Sequence, residues 1–430
     1  MLSAKKTKEW NPMISVQTQI EIQGDLSLAN ISRELNEVNI PKQILRSAII
    51  NLQDELVLEL CGSKYLRGPN RKFIRAGSTD RTLWTRHGKI EFKLLKVRCL
   101  ENMCIMRTLL LYVGVEPKKR IVDDLALECA EIATYLTYRD SKAVIENLTA
   151  AEVSRCRIHD CVQKVGEFMN RERRKSPAKC VDLIEGDGTK CHALGGRKND
   201  INVVLGKNQE TGEKKLLGLS VNEDWKQTMG QFKGRAKVAV SDNEPALRNV
   251  LLEKSFSYQA CVRHCVGDVR FYLWSANLPK VVRDRFAGKL EEVLEVLRNS
   301  VNRHLADGDF ERLNWRINWT LSELEKLSRE LLESGLLVVA RFIKNAGNYM
   351  VTFARLAMKG ISIPFTNNLI ERLMGEIAKR VKHKWMHWST RGLENLLNIL
   401  LARYCNRGFY GEMKERYLSP NKAIVRITVT

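Results

Sequence analysis

A run of seven short segments between Cys180 and His264 constrains the fold most. "CVDLIEGDGT" (180–189) has the apolar character of a buried strand ending in an acidic turn. "NDINVVLG" and "KKLLGLSV" read as two further strands joined by the polar loop "KNQETGE". "EDWKQTMGQF" predicts a short helix, "AKVAVSDN" a buried strand that again ends in Asp, "EPALRNVLLEK" a helix, and "YQACVRH" a last short strand. The order βββαβαβ predicts an α/β fold: a mixed sheet with helices on its faces. From about Val266 to Lys359 the pattern is helix after helix, until "PFTNN" breaks it and a final helix begins.

With 430 residues and 44% apolar composition, the chain has material for two to four packed domains of roughly 100–200 residues each. Lys and Arg total 71 against 50 Asp and Glu, a net charge of +21. Such an excess favours a polyanionic partner, and nucleic acid over membrane, since no uninterrupted apolar run reaches the roughly 18 residues of a bilayer span. The opening "MLSAKKTKEWNPM" lacks the apolar core of a signal peptide, so an intracellular protein is expected. Eleven scattered cysteines then imply reduced thiols rather than a disulfide framework. Two loose groups, Cys61 with Cys99 and Cys104, and Cys156 with His159 and Cys161, are weighed as zinc ligands against plain buried cysteines. Neither has paired CxxC spacing.

Upstream of the strand-rich region, residues 1–60 read as a mostly helical segment, with apolar periodicity from Ile40 to Leu60. Residues 61–104 form a basic unit around a predicted hairpin: Thr82–Arg86, a turn at His87-Gly88, then Lys89–Cys99. Its basic residues, among them Arg71 and Lys72, suit either a solvated edge or a DNA backbone. Residues 105–175 are helical, with a break and a capping-box pattern, Thr149-x-x-Glu152, resembling a helix-turn-helix. "NRERRKSPAK" (170–179) is a candidate linker. The remaining divisions are 176–265, 266–363 for the all-helical stretch, and 364–430.

Asp187 in "EGDGT" and Asp242 in "VSDNE" each close a predicted strand. On parallel neighbouring strands both carboxylates would emerge at one edge, where crowded anions require a cation between them. Hard oxygen ligands suit Mg²⁺ or Mn²⁺, and a third carboxylate would complete a two-metal site for phosphodiester chemistry. Glu371 is the candidate third member. It opens a helix whose other polar residues are mostly basic: Arg372, Lys379, Arg380, Lys382, His383 and Lys384, opposed by Glu376. It also stands three residues after Asn368, the spacing of a capping box, and that reading stays open. Glu376, five residues on, lies roughly 140° around the helix and cannot share Glu371's cleft. Asp187-Gly188 as a plain turn and Asp242 as a helix N-cap are the plainer alternatives. Trp385 and Trp388 among basic residues suit a single strand or an unstacked base, or simple core packing.

"DGT" (187–189), "SDN" (241–243), "CVRH" (261–264) and "TNNLIER" (366–372) together resemble the DDE transposases of the Mutator-like and insertion-sequence class. The second Asp, the Cys-x-x-His nineteen residues later, and the Glu after an all-helical insertion follow that family's order. Asn243 departs from the Gly the family more often carries there. The resemblance implies a ribonuclease H-like core with Asp187, Asp242 and Glu371 binding two Mg²⁺ or Mn²⁺ ions. It implies cleavage at the terminal inverted repeats of a transposon and strand transfer into target DNA. The partners implied are double-stranded DNA and further copies of the chain, as a homodimer or larger synaptic complex, in a prokaryotic cytoplasm at the nucleoid. Arg372, Lys379, Arg380, Lys382, Lys384, Trp388, Arg71 and Lys72 are the expected DNA contacts, and Cys261 and His264 a family motif whose role stays open. The alternatives are a non-catalytic DNA-binding relative and a ribonuclease H-like nuclease without strand transfer.

Overall fold

The computed structural model describes residues 13–16, 27–28, 39–62, 72–107, 109–110, 118–175, 178, 180–382, 386–418 and 426–429. Arg71, His383, Lys384 and Trp385 lie outside the described residues. The chain divides into two compact units, 1–165 with 411–430, and 166–410.

In the first unit the order is β1 (Met13–Val16), α1 (Ile40–Cys61), β2 (Phe73–Thr85), β3 (Gly88–Cys99), β4 (Ile105–Met106), α2 (Asp123–Ala133) and α3 (Tyr138–Leu148). α1 starts where Asn39 accepts a hydrogen bond from Lys42 N, with proline in the first turn. Its Ala48, Leu52 and Leu56 pack on Leu83, Ile90, Phe92 and Leu94 of the hairpin. Alternation along β3 sends Ile90, Phe92 and Leu94 inward and Lys89, Glu91 and Lys93 to solvent. The hairpin is longer than its apolar alternation predicts, because β2 begins at Phe73 and pairs with β3 back to Cys99. Its two-residue turn falls at Arg86-His87, and Gly88 follows at φ +101°, a conformation that excludes most side chains.

Two local expectations fail here. Thr149 is not an N-cap: it ends α3, its hydroxyl donating to Ile145 O, and Ser154 Oγ accepts from Arg157 N at the next helix start. That next helix, α4 (Arg155–Lys175), runs through most of the expected linker and crosses the division between the units. Its sequence "NRERRK" carries good helix formers, so charge did not mean loop.

The second unit continues with β5 (Cys180–His192), β6 (Lys198–Lys207), β7 (Lys214–Val221), α5 (Trp225–Gly230), β8 (Arg235–Ser241), α6 (Pro245–Glu253) and β9 (Ser257–Ala260). This is the βββαβαβ order. The strands form one mixed sheet, β7-β6-β5-β8-β9. β6 is antiparallel to both neighbours, while β5, β8 and β9 run parallel. Helices α7 (Val262–Ser275), α8 (Lys280–Asp307), α9 (Phe310–Glu333), α10 (Leu337–Met350) and α11 (Thr352–Ala357) follow, then α12 (Asn368–Val381), α13 (Thr390–Cys405) and α14 (Arg407–Leu418), which returns to the first unit. β10 (Arg426–Val429) pairs parallel with β1 in that first unit, so its N-terminal part is not helical throughout.

The sheet is packed on both faces. Ile184, Val204 and Ala239 join Leu247 and Leu251 of α6 and the apolar stripes of α8, α9 and α10 in one core. Leu183, Val238 and Val240 meet Leu356 of α11 in another. Gly218 is held at close range: a Cβ there would sit 2.6 Å from Thr228 O. Gly218→Val is therefore expected to destabilise the second unit by about 1–3 kcal/mol or more, read as a lowered melting temperature or loss of soluble protein.

Candidate active site

The register of three parallel strands builds the site. Gly186 pairs with Ser241, and Ser241 with Ala260. The residues that follow, Asp187 in β5, Asp242 directly after β8 and Cys261 directly after β9, therefore lie along one rim of the sheet. Asp187 does not end its strand, as the acidic turn suggested. β5 continues to His192, paired with β6 throughout, and only its pairing with β8 stops at Gly186. Likewise "YQACVRH" is not all strand: β9 ends at Ala260, Cys261 is the N-cap of α7, and His264 lies in that helix's first turn.

Glu371 reaches this rim from α12. The capping-box reading of Glu371 fails. The helix begins at Asn368, its N-cap is Asn367, and no side chain of the cap bonds the helix backbone. The cap comes from across the fold: Glu185 Oε2 accepts from Ile370 N at 2.8 Å. Glu185 and Asp187 share one face of β5, two residues apart, so the strand that carries the first aspartate also seats the helix carrying Glu371. Glu185 went unnoticed in the sequence. The available signal was a carboxylate set directly after the apolar pair of "LIEG" within the strand.

Electrostatics mark the same cluster. Burial and then the charge of Asp242 push Asp187 up to about 6. Burial raises Asp242 as well, opposed by His264. Burial lifts Glu185 to about 7 against the pull of the Ile370 and Leu369 amides. His264 is held at about 9, chiefly by the Cys261 side chain and further by Glu371 and Asp242. Asp242 Oδ1 and Glu371 Oε1 are buried without a hydrogen-bond partner. Buried carboxylate oxygens that lack donors, beside a like charge, are suited to a divalent cation. The donor set of Asp187, Asp242 and Glu371 fits Mg²⁺ or Mn²⁺ by its chemistry. Around it, Trp225 Nε1 donates to Glu244 Oε2 at 2.9 Å, and Asp187 Oδ1 accepts from Gly188 N at 2.7 Å.

The expected DNA contacts separate into two groups. Arg372, Lys379, Lys382 and Lys72 are exposed, Lys379 paired with Glu376 at 2.6 Å and Lys72 with Glu101 at 3.3 Å. Arg380 and Trp388 are buried, at 3% and 7% exposure, and are corrected to structural roles. The Arg380 guanidinium stacks over the Trp388 ring at 4.9 Å. Trp388 is fixed to β5 by Trp388 N donating to His192 O and Leu194 N donating to Trp388 O. Basic residues beside a tryptophan here make a cation–π core contact, not a free surface. Among the described residues, Cys261, His264 and Glu371 gather three ligand atoms within 4.8 Å; the predicted triad Asp187, Asp242 and Glu371 does not, nor do Cys61 with Cys99 and Cys104 or Cys156 with His159 and Cys161. Cys61 packs instead with Val57 and Val97.

Residues 17–280 match the family described as "Transposase, Mutator family". The match includes Asp187, Asp242, Cys261 and His264, and Glu371 lies beyond it. No curated protein matches the chain. Among solved structures, the Drosophila P element transposase strand transfer complex is similar at 10% identity, over 68% of this chain and 94% of that one. Its TM-score is 0.34, too low to transfer any residue.

Proposed function

The chain belongs to the Mutator family of transposases, and from that premise we propose that its second unit is a ribonuclease H-like, metal-dependent DDE core that cuts transposon ends and joins them to target DNA. The observation that carries this reading is the parallel register of β5 and β8, whose last pair, Gly186 with Ser241, directly precedes Asp187 and Asp242. The sheet order β7-β6-β5-β8-β9, with the first three strands antiparallel and the last three parallel, supports the ribonuclease H-like assignment.

Asp187, Asp242 and Glu371 would hold two Mg²⁺ or Mn²⁺ ions, which would activate the attacking oxygen and steady the leaving oxygen of an in-line displacement. The chain's own residues supply the rest. Glu185 holds the N-terminus of α12 against β5 and so fixes the approach of Glu371. Arg372 and Lys382, exposed on or just after the same helix, would hold the phosphate backbone beside the cut. The same site would serve hydrolysis first and attack by the freed 3′-hydroxyl second, with no covalent enzyme intermediate. Two ends must be joined together, so a homodimer or larger assembly is part of the proposal.

The test is incubation of the full chain with labelled transposon-end DNA, target DNA and Mg²⁺ or Mn²⁺. Nicked ends and joined products are expected. Shifted but uncut DNA would establish a binder, and cleavage without joined products would leave a nuclease. Arginine placement gives a second check. Arg372→Ala and Lys382→Ala should each weaken DNA binding and lower its salt slope by about one, with melting unchanged. Arg380→Ala should instead lower the melting temperature, because it empties a buried stack on Trp388.

A further inference from the structure

Cys261, His264 and Glu371 form a second ligand cluster beside the aspartates. Cys261 is the N-cap of α7, His264 lies one turn on, and Glu371 arrives in the first turn of α12. The thiol, one imidazole nitrogen and one carboxylate oxygen all lie within 4.8 Å of one another. His264 Nδ1 and Glu371 Oε1 stand 3.6 Å apart. That is beyond a hydrogen bond, and each of the two atoms is buried without a hydrogen-bond partner. Cys261 is fully buried and closes the back of the cluster, while the side chains of His264 and Glu371 keep 38% and 28% of their surface open to solvent.

We propose that these three side chains bind Zn²⁺. A tetrahedral zinc ion with bonds of about 2.0–2.3 Å holds its ligands roughly 3.3–3.8 Å apart, close to the separation found for the imidazole and carboxylate. One sulfur, one nitrogen and one oxygen with a fourth position open is a ligand set for zinc, whereas Mg²⁺ takes oxygen and rejects a thiolate. On binding, the Cys261 thiol proton and the imidazolium proton of His264 both leave to the buffer, and the thiolate, imidazole and carboxylate each donate a pair to the metal. Cys261 and His264 lie outside the carboxylate set that serves Mg²⁺, and Glu371 belongs to both. Zinc would therefore withdraw Glu371 from the aspartates and switch the site off. That consequence rests on the proposed function, but the binding itself does not.

Full-length protein stripped of metal should take up one equivalent of Zn²⁺ in competition with a chromophoric chelator. Co²⁺ in its place should give the near-ultraviolet thiolate-to-cobalt charge-transfer band. Cys261→Ser should abolish the band, and Cys261→Ser, His264→Ala and Glu371→Gln should each weaken zinc binding about tenfold or more. Replacing the exposed Cys104, Cys156 and Cys180 together should leave band and affinity unchanged. Should Cys261→Ser fail to fold, His264→Ala decides. Absence of stoichiometric zinc, or binding that survives both substitutions, overturns the proposal. In the cleavage assay with Mg²⁺ present, zinc should inhibit at the concentration that fills the site. Zinc bound by a protein that never cuts DNA would remove the proposed function and leave the site standing; cleavage insensitive to zinc in a protein that binds none would do the reverse.

Discussion

Replacing Glu371 by Gln is expected to abolish cleavage of transposon-end DNA, by on the order of a thousandfold or more, while DNA binding persists. Asp187→Asn and Asp242→Asn should do the same. Each amide keeps the shape of its acid and removes the anionic oxygen that would face a cation. The control is Glu376→Gln on the far side of α12, which breaks only an exposed pair with Lys379 and should change the cleavage rate little. Stability separates a site role from a capping role. Since Glu185, not Glu371, caps α12, Glu371→Gln should leave the melting temperature nearly unchanged. A large melting loss with cleavage intact would return Glu371 to a structural role.

Metal should also appear in the melting curve. Asp187 holds its proton up to about 6 in the folded chain, above its ordinary 3.8. Between those values the native state binds more protons than the unfolded one, so stability contributed by this group is full below the lower value and falls as pH rises through about 6. Without metal, Asp187 costs stability at neutral pH. Mn²⁺ should therefore raise the melting temperature at pH 7.5, raise it far less at pH 5, and have little effect on Asp187→Asn.

Glu185 should give the second large effect. Glu185→Ala removes the acceptor for Ile370 N and opens a gap under α12. Leaving that amide unpaired is expected to cost about 1–3 kcal/mol of stability. A carboxylate displaced by about an ångström can cost roughly a hundredfold in rate, so cleavage should fall by that order. Glu185→Gln keeps an acceptor oxygen in the same place without a buried charge. It should melt at or above wild type and cleave within a few-fold of it. Cleavage lost equally in Glu185→Gln would show that the charge itself matters at the site, and cleavage unchanged in Glu185→Ala would show that α12 needs no such seat.

Much of this was legible in the chain. The βββαβαβ order could be read because each strand is a short apolar run closed by Gly, Asp or a polar loop. Asp187 and Asp242 could be paired because the strands carrying them flank a helix-bearing crossover. What could not be read depends on partners remote in sequence. β5 extends past Asp187 because β6 keeps pairing with it, which no residue of "DGTKCH" announces. Glu185 carried no readable role because its partner, the Ile370 amide, lies 185 positions away. Arg380 looked like a surface cation because the ring that buries it belongs to a later segment fastened to β5.

Asp187 in β5 and Asp242 directly after β8 are both made by residue 242, and Glu371 waits behind the whole helical insertion. A chain emerging from the ribosome thus holds both aspartates long before it holds Glu371. Contacts of such long range carry a loop-closure cost that slows their formation. On the proposed function, the order of synthesis would leave every partial product unable to cut DNA until α12 settles onto β5.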